Sequence, residues 1–177
     1  GGEIKSDVSL SGVRLSVGEG VTTTNTIRFL GGNNSMVGNL SPTVTVVLES
    51  NSQWGFCYVT ATGSTLENRG TLRMTTTTGW DGNDRNTYLD LNGGTLVNTS
   101  TGVVDLLTGA GYARVISGGN IRNEGRIGIE SNATLSLYKA SGPRLSQVAG
   151  AIIAGVNTTV WVSDAGAIDV LGGTIDG

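Results

Sequence analysis

Histidine is absent from this chain of 177 residues, cysteine occurs once, as Cys57, and proline twice. Without histidine there is no Ser-His-Asp or Cys-His relay, and the commonest zinc ligand is missing. One cysteine excludes an internal disulfide and a cysteine-based zinc cluster. Charged residues make up 14% of the chain, well below the roughly 25% of an average soluble domain. The only lysines are Lys5 and Lys139, far apart in the chain. The 11 Lys and Arg residues are scattered, so no phosphate-binding footprint appears and no nucleic-acid partner is expected. No apolar run approaches the ~18 residues of a membrane span, and membrane insertion is not expected. No signal peptide opens the chain, and Gly1-Gly2-Glu3-Ile4 reads as the middle of something.

What fills the chain instead is Thr, Ser, Asn and 29 glycines around a hydrophobic content of 37%. That content suffices for one domain over residues 1–177 with a sizeable core. The apolar residues are organised by a repeat. Gly93-Gly94-Thr95-Leu96-Val97-Asn98 leads through a glycine turn into Val103-Val104-Asp105-Leu106. Gly63-Ser64-Thr65-Leu66-Glu67-Asn68 precedes it in the same form, and Gly118-Gly119-Asn120-Ile121-Arg122-Asn123 follows. Taking the apolar residue after each small or glycine-rich turn as a marker gives Ile4, Met36, Leu66, Leu96, Ile121, Ile152 and Ile175. Their spacings are 32, 30, 30, 25, 31 and 23 residues. An irregular period with a fixed motif describes one structural unit with variable loops.

Within a unit, apolar and polar residues alternate, as in Leu72-Arg73-Met74, Val104-Asp105-Leu106, Ile127-Gly128-Ile129 and Val160-Trp161-Val162. Period two is the strand signal. No window sustains helical spacing, and Gly, Thr and β-branched residues oppose helix. A β-sandwich needs no internal repeat, whereas a parallel β-helix requires equivalent turns to recur in register. The unit has room for three strands, around Leu96, Val104 and Arg114-Val115-Ile116. The expectation is an all-β chain, a right-handed parallel β-helix (β-solenoid) of about six or seven coils of three short strands, a rod roughly 30 Å long.

Asn68, Asn98 and Asn123 should form a structural ladder, because Asn tolerates the left-handed conformation and its amide can bond its counterpart one coil away. Outward positions should stack as well, in the order Arg73, Asp105, Gly128, Trp161, with Arg73 and Asp105 as an exposed ion pair.

The Gly-Gly-Thr-Leu-Val-Asn run followed by Gly-Val-Val-Asp-Leu resembles the Gly/Asn/Thr-rich repeats of large bacterial secreted surface proteins, the filamentous haemagglutinin-like adhesins and autotransporter passenger domains. The resemblance is strongest from Gly63 to Ile129. It implies an extracellular or cell-surface β-helix acting as stalk, adhesin or matrix component, and it supplies no functional residue. Both ends of the chain carry the repeat opening without a polar cap, so either the array continues or another molecule stacks there, giving head-to-tail self-association into a filament.

The most site-like segment is the long loop Thr75–Tyr88. Trp80 could stack on a sugar ring while Asp81, Asn83, Asp84 and Arg85 bond its hydroxyls, with Tyr88 at the loop's exit. A solvated loop with Trp80 folded onto the wall is the plainer reading. Asp81, Asn83 and Asp84 could also hold calcium, although their spacing matches no calcium-loop pattern. No metal, cofactor or catalytic residue is assigned. Trp54, Phe56 and Tyr58 alternate and share a face; we expect them to point inward, since an outward aromatic strip invites aggregation. Cys57 would then be an unreactive thiol, with nothing basic nearby to lower its pKa. An enzyme reading, as a polysaccharide lyase or hydrolase or a phage tailspike type, would need two of Asp81, Asp84, Asp90 and Asp105 to share a groove. Scarce charge and the lack of histidine argue against it. A surface glycan is the partner the loop chemistry suggests.

Overall fold

A computed structural model of the protein describes residues 8–17, 21–51, 53, 55–76, 86–109, 113–163 and 165–177. The described residues form strands and turns, with no helix among them. In chain order the strands are β1 (Val8–Leu10), β2 (Arg14–Val17), β3 (Asn25–Leu30), β4 (Asn34–Gly38), β5 (Val44–Ser50), β6 (Cys57–Thr62), β7 (Thr65–Asn68), β8 (Thr71–Thr76), β9 (Thr87–Asp90) and β10 (Thr95–Asn98). They continue as β11 (Val103–Leu106), β12 (Arg114–Ser117), β13 (Asn120–Asn123), β14 (Arg126–Ile129), β15 (Thr134–Tyr138), β16 (Arg144–Gln147), β17 (Ala151–Ala154), β18 (Thr159–Val162), β19 (Ala167–Val170) and β20 (Thr174–Asp176).

These strands build three parallel sheets. Sheet A runs β1-β3-β5-β8-β11-β14-β17-β20, sheet B runs β2-β4-β6-β9-β12-β15-β18, and sheet C runs β7-β10-β13-β16-β19. From β7 onward the chain visits C, A and B in turn, so each coil pairs with the coil before and after it. The chain is therefore a parallel β-helix of about six turns, three strands to the coil. At the start of the chain the described residues form no strand on the third side, where Leu40 bridges to Asn68, so sheet C has five strands against eight and seven.

Alternation follows directly from the pleat, which sends successive side chains to opposite faces. Inward residues line up from coil to coil, as Val46, Leu72, Val104, Ile127 and Ile152 do in sheet A. In sheet C the same row is Leu66, Leu96, Ile121 and Leu145. Each such aliphatic side chain contributes about 1.5–3 kcal/mol on burial. On the last coil Ile168, Val170 and Ile175 are exposed.

The registers correct the sequence markers. Leu66, Leu96 and Ile121 belong together in sheet C, but Ile152 and Ile175 pair in sheet A and Met36 lies in sheet B. Beyond Ile121 the row continues through Leu145 and then Ile168. Trp161 likewise leaves the ladder proposed for it. Asp105 stacks between Arg73 and Gly128, whereas Trp161 pairs with Ser136 in sheet B. Strands of all three sheets alternate and follow glycine-rich turns, so their letters alone do not tell one side of the coil from another.

Candidate functional site

The Asn ladder forms, and it lies inside the rod. Asn68 Nδ2 donates to Asn98 Oδ1 at 2.8 Å, Asn98 Nδ2 to Asn123 Oδ1 at 2.7 Å, and Asn123 Nδ2 to Gln147 Oε1 at 2.7 Å. All four side chains are fully buried. The second amide hydrogens of Asn68 and Asn98 reach the backbone oxygens of Val103 and Arg126. Gln147 is a rung the sequence reading missed, because a longer amide does the same work under a different letter. The left-handed asparagines are elsewhere, at Asn33, Asn92, Asn132 and Asn157, so the ladder asparagines are there for their amides and not for their backbone. Glycine is required beside them. A Cβ at Gly102 would run into the Asn68 carbonyl oxygen and Asn98 Oδ1.

Asp105 accepts from Arg73 Nη2 at 3.5 Å, as expected, and also from Arg126 Nη1 at 2.6 Å. Arg126 escaped notice because its own backbone partner is Val103, so it reaches Asp105 diagonally. Together with Gly128 and Ser131 these residues border an open groove of ≈ 440 Å³ on sheet A.

The loops concentrate at one corner. Between sheets A and B the connections span 51–56, 77–86 and 107–113 in three successive coils, whereas the same connection spans only 31–33 before them and 130–133 after. Trp80, Asp81, Asn83, Asp84 and Arg85 lie outside the described residues, as does Trp54. Beneath this corner the interior is polar. Thr87 Oγ1 donates to the Thr75 carbonyl at 2.8 Å, and Arg114 Nη2 donates to Thr76 Oγ1 at 3.4 Å. Arg114 is almost wholly buried, and burial pulls its guanidinium below the usual range while Glu130 acts the other way. The sequence shows Arg114 only as the head of an Arg-Val-Ile run.

Beside the corner, the outer face of sheet B carries the site we single out. Phe56 and Tyr58 point outward, contrary to the sequence expectation, because Cys57 and Val59 take the inward positions and are fully buried. Phe56 is 52% exposed. Tyr58 pairs with Tyr88, and their rings lie 5.7 Å apart, tilted by 34°. Tyr58 Oη donates to Asp90 Oδ2 at 2.8 Å. Asn86 Nδ2 donates to Tyr88 Oη at 3.1 Å, and Asn86 Oδ1 accepts from the Ala113 amide at 2.9 Å. Burial, then the bond to Asp90, pushes the Tyr58 hydroxyl up to about 12. Phe56, Tyr58, Asn86 and Tyr88 line an open depression of ≈ 320 Å³. Of the predicted loop constellation, Tyr88 is therefore placed in a polar-edged aromatic face.

Cys57 donates to the Phe29 carbonyl at 3.3 Å, and burial pushes its thiol up to about 12. It is unreactive through burial, on the inner face. Asp90 and Asp105 lie on sheets B and A, not in one groove. No group of three or more Cys, Asp or Glu among the described residues could hold a metal ion.

No family model matches the chain, and neither a curated protein nor a solved structure matches it.

Proposed function

We propose that this chain is a structural and adhesive rod of a secreted or surface-attached protein, and that it adheres through the corner between sheets A and B. The observation that carries the reading is the length of the connections from sheet A to sheet B in three successive coils, 51–56, 77–86 and 107–113, beside a core that runs on through those coils. Long loops on a solenoid are the parts free to contact a partner, because the rungs beneath them hold the fold. The likeness of Gly63–Ile129 to repeats of bacterial adhesins agrees with an extracellular setting. Low charge suits a stacked wall, where like charges would meet on every neighbouring rung.

Polystyrene beads coated with the purified protein, settled on mucin, on mixed-linkage β-glucan and on bare glass, test the reading. Beads carrying the protein should hold to at least one coated surface under flow better than beads carrying albumin. The soluble glycan should show no rise in reducing ends after incubation. Equal detachment of both kinds of bead from every surface would end the adhesive reading, and reducing-end release would replace it with glycan cleavage.

A further inference from the structure

We propose that Phe56, Tyr58 and Tyr88 form a platform for a short stretch of neutral glycan, with Asn86 and Asp90 setting the hydrogen-bonding edge. The proposal rests on the adhesive reading and names its ligand class.

Phe56 stands 52% exposed, and Tyr58 and Tyr88 are half-buried beside it. Along the ladder from Tyr58 and Tyr88, Val115 and Ser136 separate this pair from the next outward aromatic, Trp161, so the three rings form a group of their own. Aromatic rings that stand out of a sheet bury apolar surface only when something lies on them, and the C–H face of a pyranose is flat and apolar in the required way.

The rings are held before any ligand arrives. Phe56 lies against the backbone of Gly32 in the preceding coil, where a Cβ would stand 3.4 Å from its ring. Tyr58 is tied to Asp90, whose other oxygen accepts from the Asn92 amide at 2.9 Å. Tyr88 is tied to Asn86, which the Ala113 amide holds in turn. A site that is already ordered loses little freedom on binding.

The bond directions also fix what the edge offers. The Ala113 amide donates to Asn86 Oδ1, so Asn86 must present Nδ2 to Tyr88. Tyr88 Oη is thereby an acceptor toward Asn86 and keeps its own proton for a donor role. Tyr58 spends its proton on Asp90 and keeps its oxygen as an acceptor. Adjacent rungs thus present one donor and one acceptor beside two ring faces. A sugar hydroxyl both donates and accepts, and it satisfies both at once.

Charge narrows the ligand to neutral glycans. The carboxylate at this edge is Asp90, and the chain carries a net charge of −3, so a uronate or sulfated chain would be repelled. The groove on sheet A is a poorer candidate, because Arg73 and Arg126 are already paired with Asp105.

Native affinity electrophoresis through gels containing mixed-linkage β-glucan, xylan, galactomannan or amylose tests the proposal, with polygalacturonate as the anionic comparison. At least one neutral glycan should retard the protein. The double variant Tyr58→Val, Tyr88→Val should lose retardation roughly tenfold. Valine already occupies the next rung at Val115, so the strand is kept, and an unchanged circular dichroism spectrum checks this. Trp161→Val, on the same sheet but away from the platform, should leave retardation unchanged. Retardation that survives in the double variant would overturn the platform while leaving adhesion by the corner in place. Retardation by polygalacturonate alone, or by none of the five glycans, would overturn it as well; bead adhesion to mucin then decides the adhesive reading separately.

Discussion

Asn98 gives a hydrogen bond to Asn123 and receives one from Asn68, so that its amide is used from both sides within a wholly buried row. The row has a direction, because each of the three asparagine amides donates toward the C-terminal coil. It ends at Asn68, whose Oδ1 is buried without a partner, next to the coil of Leu40. A buried polar ladder fixes register in a way that aliphatic stacking cannot, since a slip by two residues keeps the inward face but would set the amides against carbon.

Position in the ladder should therefore decide the cost of removing a rung. Asn98→Ala leaves the Asn68 donor and the Asn123 acceptor without their partners, and should cost about 3 kcal/mol. Asn68→Ala removes an amide whose oxygen is already unsatisfied, and should cost about 1–2 kcal/mol. Urea unfolding followed by circular dichroism measures both. Equal costs would mean that the amides act singly and not as a row.

The parts of this arrangement that the sequence displays are those where the same letter recurs at the same place. Asn68, Asn98 and Asn123 recur after Leu or Ile at separations of 30 and 25 residues, and the ladder can be read from them. Gln147 continues it 24 residues later, but its letter differs, and the marker moved to Ile152 in the wrong sheet. Alternation predicts a shared face for Trp54, Phe56 and Tyr58 but cannot say which one; among the described residues, Phe56 and Tyr58 face out. The inward demand of Cys57 and Val59 decided it. The Tyr58–Tyr88 contact was hidden because the separation of β6 from β9 depends on the loop 77–86. Arg126 was hidden for a geometric reason, since long side chains pair diagonally while the ladder is read straight across.

The ion pairs on sheet A should matter little to stability. Asp105 accepts from two arginines, but both guanidinium side chains are 40% or more exposed. Asp105→Ala should cost about 1 kcal/mol or less. Asp105→Lys places a third cation beside Arg73 and Arg126, should cost more, and should be relieved by salt. Comparing unfolding midpoints in low and high sodium chloride checks this. A salt-independent penalty would point to packing and not to charge.

Gly102 should be intolerant of even a methyl group. Its missing side chain leaves room for the Asn68 carbonyl and the Asn98 amide oxygen, both of which hold the coil. Gly102→Ala should cost about 2–3 kcal/mol by forcing neighbouring coils apart. Gly12 provides the contrast. It has φ 66° but nothing within 4 Å of an added Cβ, so Gly12→Ala should cost only about 1 kcal/mol for the left-handed backbone. Thermal melts of the two variants should rank them in that order, and the reverse order would mean that coil spacing is not set at Gly102.

Stability should fall in alkali through Cys57. Burial raises its thiol from 9.0 to about 12 in the folded chain. Below the lower value the thiol is protonated in both states and pH has no effect through it. Between the two values the unfolded chain loses the proton while the folded chain keeps it, so the folded state is disfavoured by about 1.4 kcal/mol for each pH unit. Tyr58, raised from 10.0 to about 12, acts in the same direction over a narrower window. Guanidinium midpoints at about pH 8 and about pH 10.5 should therefore drop in the native sequence and drop less in Cys57→Ala. The folded protein should also resist alkylation by iodoacetamide until denaturant is added, since a neutral, enclosed thiol is a poor nucleophile. An equal drop in both proteins, together with rapid alkylation of the folded one, would place Cys57 in contact with solvent and remove the inner row on which the outward direction of Phe56 and Tyr58 depends.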